Sequence, residues 1–254
     1  MIDIHSHVLY GLDDGARTLQ DSVAMVRMAA DHGTTDLVAT PHANPNYCFD
    51  PQTMKERLAE VAAASGNVVR LHSGCDFHLS YDNIQDAIDN PRKYTINHHR
   101  YLMVEFSDLL IFHNTAEIFS RLQAAGMTPV ITHPERNSLL RQRVDQIAAW
   151  VESGARVQLT AQSLLGAFGR RAADFSRTLL DRQLVHFLAS DAHDCEHRPP
   201  RLDLAHTWVR KRYGEERANA LCITNPRATL TGKSLEPLVS GGVSESRKWY
   251  QIWR

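Results

Sequence analysis

The sequence predicts one α/β domain of parallel strands joined by right-handed helical crossovers. Two observations predict it. Seven short apolar, β-branched runs alternate with longer segments of helical period. Three of those helical segments run into a glycine, at Gly33, Gly126 and Gly154, where a helix C-terminus belongs. A chain of 254 residues is commonly folded as a single α/β unit and can bury a sizeable core without disulfides.

In chain order, the strand runs cover residues 2–4, 36–40, 68–73, 102–106, 129–132, 156–160 and 185–189. Helical period covers 19–32, 52–64, 115–125, 143–153 and 172–182 between them. Residues 204–213 and 215–221 read as further helices, followed by a turn at Thr224-Asn225-Pro226. An open sheet and a closed barrel both satisfy this order. Beyond about Gly232 the period is lost. The folded body is therefore placed at 1–230 and a peripheral tail at 231–254, with Trp249, Tyr250 and Trp253 available to dock on the body or on another subunit.

Charge is nearly balanced, with 28 Lys+Arg against 29 Asp+Glu, which disfavours a nucleic-acid binder that relies on bulk positive charge. No 18-residue apolar run exists, so no membrane insertion is expected. Cys48, Cys75, Cys195 and Cys222 are scattered without a CxxC pair, and no basic-then-apolar leader opens the chain; a cytoplasmic protein is expected.

Ligand-type residues sit where the strands end. His5 and His7 follow the first run, His42 the second and Asp76 the third. Glu105 closes the fourth, His133 follows the fifth, and Asp191 and His193 follow the seventh. In an α/β barrel these ends converge on one mouth. Eight such groups gathered there carry a desolvation burden that cations would relieve. An isolated His-x-His carries little, and a lone His after a strand is more often structural; the joint placement carries the weight. In an extended chain residues i and i+2 point the same way, so His5/His7 and Asp191/His193 each aim two ligands at one side. Imidazole and carboxylate without thiolate suit Mn²⁺, Fe²⁺ or Zn²⁺. One ion takes four to six ligands, so more than one ion is expected, with Glu105 as a bridge and Asp13 or Asp14 as a further ligand. His32, His72, His98, His99, His113 and His186 read as structural or surface residues, and so does His78, although it lies close to Asp76.

The segments IDIHSHVLYGLDDGA, ATPHANP, GCDFHLS, MVEFS, VITHPERN and LASDAHDCEHRPP resemble, in order, the motifs of the polymerase-and-histidinol-phosphatase (PHP) superfamily. Within it they are most similar to the bacterial capsular-polysaccharide branch, the CpsB/CapC-type tyrosine-protein phosphatases, from Met1 to about Pro226. The resemblance implies a distorted (β/α)7 TIM-like barrel, the PHP fold, as a single domain. It implies two or three divalent ions, with Mn²⁺ the usual activator and Fe²⁺, Zn²⁺, Mg²⁺ or Co²⁺ as alternatives. Ligands are implied at His5, His7, His42, Asp76, Glu105, His133, Asp191 and His193, and Asp14 matches an acidic position of the family. The branch usually carries Glu where this chain has Asp76, one methylene shorter. The implied activity is hydrolysis of phosphotyrosine on a protein, the partner being an autophosphorylating bacterial tyrosine kinase that controls polysaccharide export.

Arg136, in His-Pro-Glu-Arg, and Arg198, in His-Arg-Pro-Pro, are assigned to clamping phosphate, because a planar guanidinium suits bidentate contact. Cys195 and Arg201 match the CX5R spacing of cysteine-based tyrosine phosphatases. The intervening Glu-His-Arg-Pro-Pro lacks the run of backbone donors such a loop needs, so the match is read as chance. Competing readings are a small-molecule phosphatase for histidinol phosphate or sugar phosphates and a metal-loaded binding module without turnover. A nuclease is disfavoured by the neutral charge. The resemblance also implies scope for self-association, with the helix over 19–32 as one surface for it.

Overall fold

All seven strand runs form, and the second and third are each followed by a short further strand. The computed structural model describes residues 1–235 and contains β1 (Ile2–Ser6), β2 (Asp36–Ala39), β3 (His42–Ala43), β4 (Arg70–Ser73), β5 (Asp76–His78), β6 (Tyr101–Glu105), β7 (Thr128–Thr132), β8 (Arg156–Thr160) and β9 (Phe187–Ala189). β3 lies beyond the 36–40 run and is separated from β2 by Thr40 and Pro41, the latter with no N–H to offer a ladder. β5 likewise lies beyond the 68–73 run, separated from β4 by Gly74 and Cys75. A Cβ on Gly74 would lie 2.9 Å from Val38 Cγ1, so the chain passes close to β2 at this point.

Every pairing is parallel. One sheet runs β1-β2-β4 and the other β3-β5-β6-β7-β8-β9. Beyond β9 the chain returns to β1: the Asp191 N–H donates to the His5 carbonyl at 2.9 Å, and the His7 N–H to the Ala192 carbonyl at 2.8 Å. The seven runs therefore close into a distorted barrel whose C-terminal strand ends form one mouth. Between Asp3 and Ser6 the β1 register against β2 shifts by one residue, a bulge directly under His5.

Alternation along the strands sorts the core. Tyr101 and Met103 join Ile2, Ile4, Val38, Val130, Phe187 and Ala189 in an interior cluster drawn from around the ring. Leu102, Val104, Ile131, Val157 and Leu188 face outward and pack under the helices. These helices are α1 (Leu19–Asp31), α2 (Pro51–Ser65), α3 (Tyr81–Asp89), α4 (Thr115–Ala124), α5 (Val144–Glu152), α6 (Ala161–Leu164), α7 (Arg170–Asp181), α8 (Asp203–Tyr213), α9 (Glu215–Asn219) and α10 (Asn225–Leu230). Gly33, Gly126 and Gly154 each lie one residue past a helix cap, with φ of +83°, +89° and +101°, as a C-terminal glycine should.

Two elements differ from expectation. α3 is absent from the expected helices, although Ile84, Ala87 and Ile88 recur at helical spacing; it forms behind a Ser80 N-cap and buries Ile84 and Ala87. The turn expected at Thr224-Asn225-Pro226 is helical instead. A π-helical stretch (Ala220–Thr224) runs straight into α10, whose first turn holds Pro226 where a missing N–H breaks no bond. At the opposite end of the barrel from the mouth, the Tyr101 hydroxyl donates to the Lys233 carbonyl at 2.7 Å. The expectation for Trp249, Tyr250 and Trp253 falls outside the described residues. Among the described residues, no helix is long and apolar enough to cross a membrane.

Candidate metal centre

The barrel gathers all eight strand-end ligand candidates, together with Asp14, at one mouth. Their donor atoms form four overlapping sets: His7/Asp14/His42/His193, His5/His7/Asp76, His5/His133/Asp191 and His42/Asp76/Glu105, each with its atoms within 4.8 Å of one another. Shared members tie the sets together. His5 Nε2 lies 3.5 Å from Asp76 Oδ2 and 3.6 Å from Asp191 Oδ1. His42 Nδ1 lies 3.3 Å from Asp76 Oδ2 and 3.7 Å from Glu105 Oε2. Asp14 Oδ1 lies 3.4 Å from Nε2 of both His42 and His193. His133 Nε2 approaches Glu105 Oε1 at 3.8 Å. Asp191 and His133 hold these places with φ of +53° and +31°, a left-handed backbone that non-glycine residues seldom adopt. His78, read as a structural residue, stands at the edge with Nδ1 3.7 Å from Glu105 Oε2.

Around these side chains lies a set of groups that orient them. His7 Nδ1 donates to Asp13 Oδ2 at 2.7 Å, and His193 Nδ1 to the Asp191 carbonyl at 3.0 Å. His5 Nδ1 pairs with Gln158 Oε1 at 3.0 Å. In each case Nδ1 carries the proton and Nε2 presents its lone pair to the centre. Asp13, offered beside Asp14 as a further ligand, accepts from His7 Nδ1 and also from the His42 N–H at 3.1 Å. The Asp13-Asp14 loop passes tightly over β1: a Cβ on Gly15 would lie 2.1 Å from the His7 carbonyl oxygen, so only glycine fits.

Gln158 and Glu135 escaped the sequence reading. Glu135 is fully buried and accepts the Thr160 N–H at 3.0 Å, and burial raises its pKa. Gln158 did leave a signal, a polar residue between the outward-facing Val157 and Leu159 of a buried strand.

The electrostatics show how strongly this mouth calls for positive charge. Burial disfavours ionised Asp76, yet His5, His133 and His42 hold its carboxyl well below the usual range. Asp191 is likewise buried and likewise held low, by His5, His7, His133 and Arg136. Burial opposes a charged His42, but Asp14, Asp76 and Glu105 outweigh it and push the imidazole up to about 11. Asp13 does the same for His7 against its burial, to about 9.

Arg198 Nη2 pairs with Asp191 Oδ2 at 2.6 Å, and Arg136 Nη1 contacts the same oxygen. Arg198 Nε is buried without a hydrogen-bond partner among the described residues. Both guanidiniums lie over the ring of Phe168, another residue the sequence did not single out, while Tyr47 stacks on His42 with centroids 6.0 Å apart. The CX5R match dissolves. Asp194 Oδ1 already accepts the N–H groups of Glu196, His197 and Arg198 at 2.6, 2.5 and 3.2 Å, and burial together with Asp194 raises the Cys195 thiol.

The donor set fits divalent ions. Among the described residues, Asp76 Oδ2 and His42 Nδ1 are buried without hydrogen-bond partners, an arrangement that is costly unless a cation satisfies them. Nitrogen and carboxylate donors in overlapping sets, with oriented imidazoles behind them, suit borderline-hard divalent cations.

Comparison with known proteins agrees with this geometry. The family model described as capsular polysaccharide synthesis, CpsB/CapC, matches residues 1–231. The chain is 34% identical to CapC of Staphylococcus aureus over 99% of its own length and 100% of the relative's. It is 33% identical to the tyrosine-protein phosphatase YwqE of Bacillus subtilis, over 85% of this chain and 86% of that one. A solved structure from work on YwqE and on CpsB of Streptococcus pneumoniae, described as metal-dependent tyrosine phosphatases, superposes with a TM-score of 0.86 at 30% identity, covering 93% of this chain and 96% of that one.

Proposed function

Since this chain belongs to the CpsB/CapC family of capsular polysaccharide synthesis proteins, we propose that it is a metal-dependent phosphatase acting on phosphotyrosine in a protein. The observation that carries the reading is the overlap of four His/carboxylate donor sets with two arginines at one barrel mouth. Divalent ions in such a site neutralise phosphoryl oxygens and acidify a coordinated water.

The chain's own residues do the rest. His5, His7, His42, Asp76, Glu105, His133, Asp191 and His193 hold the ions, with Asp14 beside His42 and His193. Arg136 and Arg198 turn from Asp191 to the phosphoryl oxygens when substrate arrives and hold the group in line. Asp13 and Gln158 keep His7 and His5 in the tautomer that leaves Nε2 free. Phenolate, the leaving group, needs little protonation because its parent acid has a pKa near 10. Mn²⁺ is the activating ion in this reading. The substrate is an autophosphorylating bacterial tyrosine kinase that controls capsular or exopolysaccharide synthesis, met in the cytoplasm.

Turnover of a phosphotyrosine peptide with Mn²⁺, set beside histidinol phosphate and a phosphoserine peptide, tests this. The peptide carrying phosphotyrosine should be preferred by at least tenfold in kcat/KM, about 1.4 kcal/mol, and chelation should abolish its turnover. Preference for histidinol phosphate would replace the protein substrate by a small molecule.

A further inference from the structure

Phe168 stands on a turn at the rim of the metal centre, after β8 and α6. Gly166 and Gly169 bracket it with φ of +97° and +84°, and a Cβ at either glycine would meet nothing within 4 Å. Leu165, Gly166, Ala167 and Gly169 are exposed, yet the Phe168 ring is half-buried. What covers it is charge. Arg136 Cζ lies 4.5 Å from the ring centroid and Arg198 Cζ 5.9 Å. The ring belongs to none of the apolar clusters of the core. A phenylalanine that only filled space would pack among them; this one is held out beside the two guanidiniums that reach into the metal centre.

We propose that Phe168 is a specificity-determining residue, the wall against which the aryl ring of the substrate lies. The proposal rests on the phosphotyrosine reading above. With the phosphoryl group held by the ions and both arginines, its ester oxygen leads the phenyl ring outward, along the side where Phe168 stands. Aromatic pairs favour offset or edge-to-face contact with centroids roughly 4.5–7 Å apart. Because both guanidiniums lie beside Phe168, at 4.5 and 5.9 Å from its centroid, a phosphate they grip brings a ring one ester bond away toward that wall. Phosphoserine carries no ring and gains nothing from the wall. Phe168 therefore discriminates by the leaving group, whereas the arginines recognise the phosphate that all phosphomonoesters share.

Calorimetric binding of phenylphosphonate and methylphosphonate to the ion-loaded protein separates these roles without turnover. Wild type should bind the phenyl compound about three- to tenfold more tightly, the range aromatic pairs contribute. Phe168→Ala and Phe168→Leu should erase that preference while leaving methylphosphonate within a factor of two, and Phe168→Tyr should keep it. Equal weakening of both phosphonates would overturn the proposal, because Phe168 would then only prop the arginines. A phenyl preference that survives Phe168→Ala would overturn it as well. If the preference depends on Phe168 but phosphotyrosine peptides are not hydrolysed, the wall stands and the phosphatase reading falls. If the peptides are hydrolysed and wild type shows no phenyl preference, the wall alone falls.

Discussion

Asp13 Oδ2 lies 2.7 Å from His7 Nδ1, on the side of the imidazole away from the metal centre. That one contact fixes which nitrogen of His7 faces the ions, and both partners are buried, so water cannot replace it. Asp13→Asn keeps the shape but lets the amide donate as well as accept, which frees the ring to adopt the wrong tautomer. Manganese affinity, measured by competition with a chelating dye, should fall about 10- to 100-fold. An unchanged affinity would remove Asp13 from the orienting shell.

Arg136 and Arg198 share one oxygen of Asp191. Because they share a partner, their effects should not add. Arg136→Ala and Arg198→Ala should each lower kcat/KM for a phosphotyrosine peptide about 100-fold, near 2.7 kcal/mol. Each should also weaken competitive inhibition by inorganic phosphate. The double variant should lose clearly less than the product of the two. Full additivity would mean the arginines act separately.

His186 provides a pH test away from the centre. Its Nδ1 accepts the Val157 N–H at 3.2 Å, and burial, with Arg156 and Arg217 nearby, lowers its pKa from the ordinary 6.5 to about 3. Below pH 6.5 the unfolded chain therefore binds a proton that the folded chain refuses. Stability is lost as pH falls, by about 1.4 kcal/mol per pH unit until the folded value is reached. In urea unfolding of chelated protein, wild type should lose about 2 kcal/mol more than His186→Gln between pH 8 and pH 5. Parallel losses in the two proteins would contradict the buried neutral imidazole.

Cys195 is a control for the rival chemistry. Burial and Asp194 raise its thiol, and Asp194 occupies the backbone donors that a phosphate loop would need. Cys195→Ser should therefore turn over phosphotyrosine peptide within about twofold of wild type, a difference under 0.5 kcal/mol. Loss of turnover in Cys195→Ser that chelation does not mimic would restore the cysteine mechanism.

The strand-end pattern was legible because parallel barrels place residues distant in sequence at one mouth. His5, His42, Asp76, Glu105, His133 and Asp191 each announce themselves by position alone. Gln158, which orients His5, and the buried Glu135 were not legible, since each is placed by a single side-chain hydrogen bond that no periodicity records. Asp13 and Asp14 were both visible but not told apart, because an acidic pair in a loop does not say which carboxylate faces the donor sets. Phe168 was silent: a lone aromatic between glycines has no pattern until the arginines fold beneath it. Pro226 misled, because the same residue that ends a helix also starts one.

Metal content by elemental analysis after loading with Mn²⁺ and desalting tests the central claim most directly, with wild type set against Asp191→Ala and His5→Ala. Two or three ions per chain should remain in wild type, at least one fewer in each variant, and phosphotyrosine turnover should follow the ion count. Wild type that retains no ions, or variants that retain the full complement, would contradict the account.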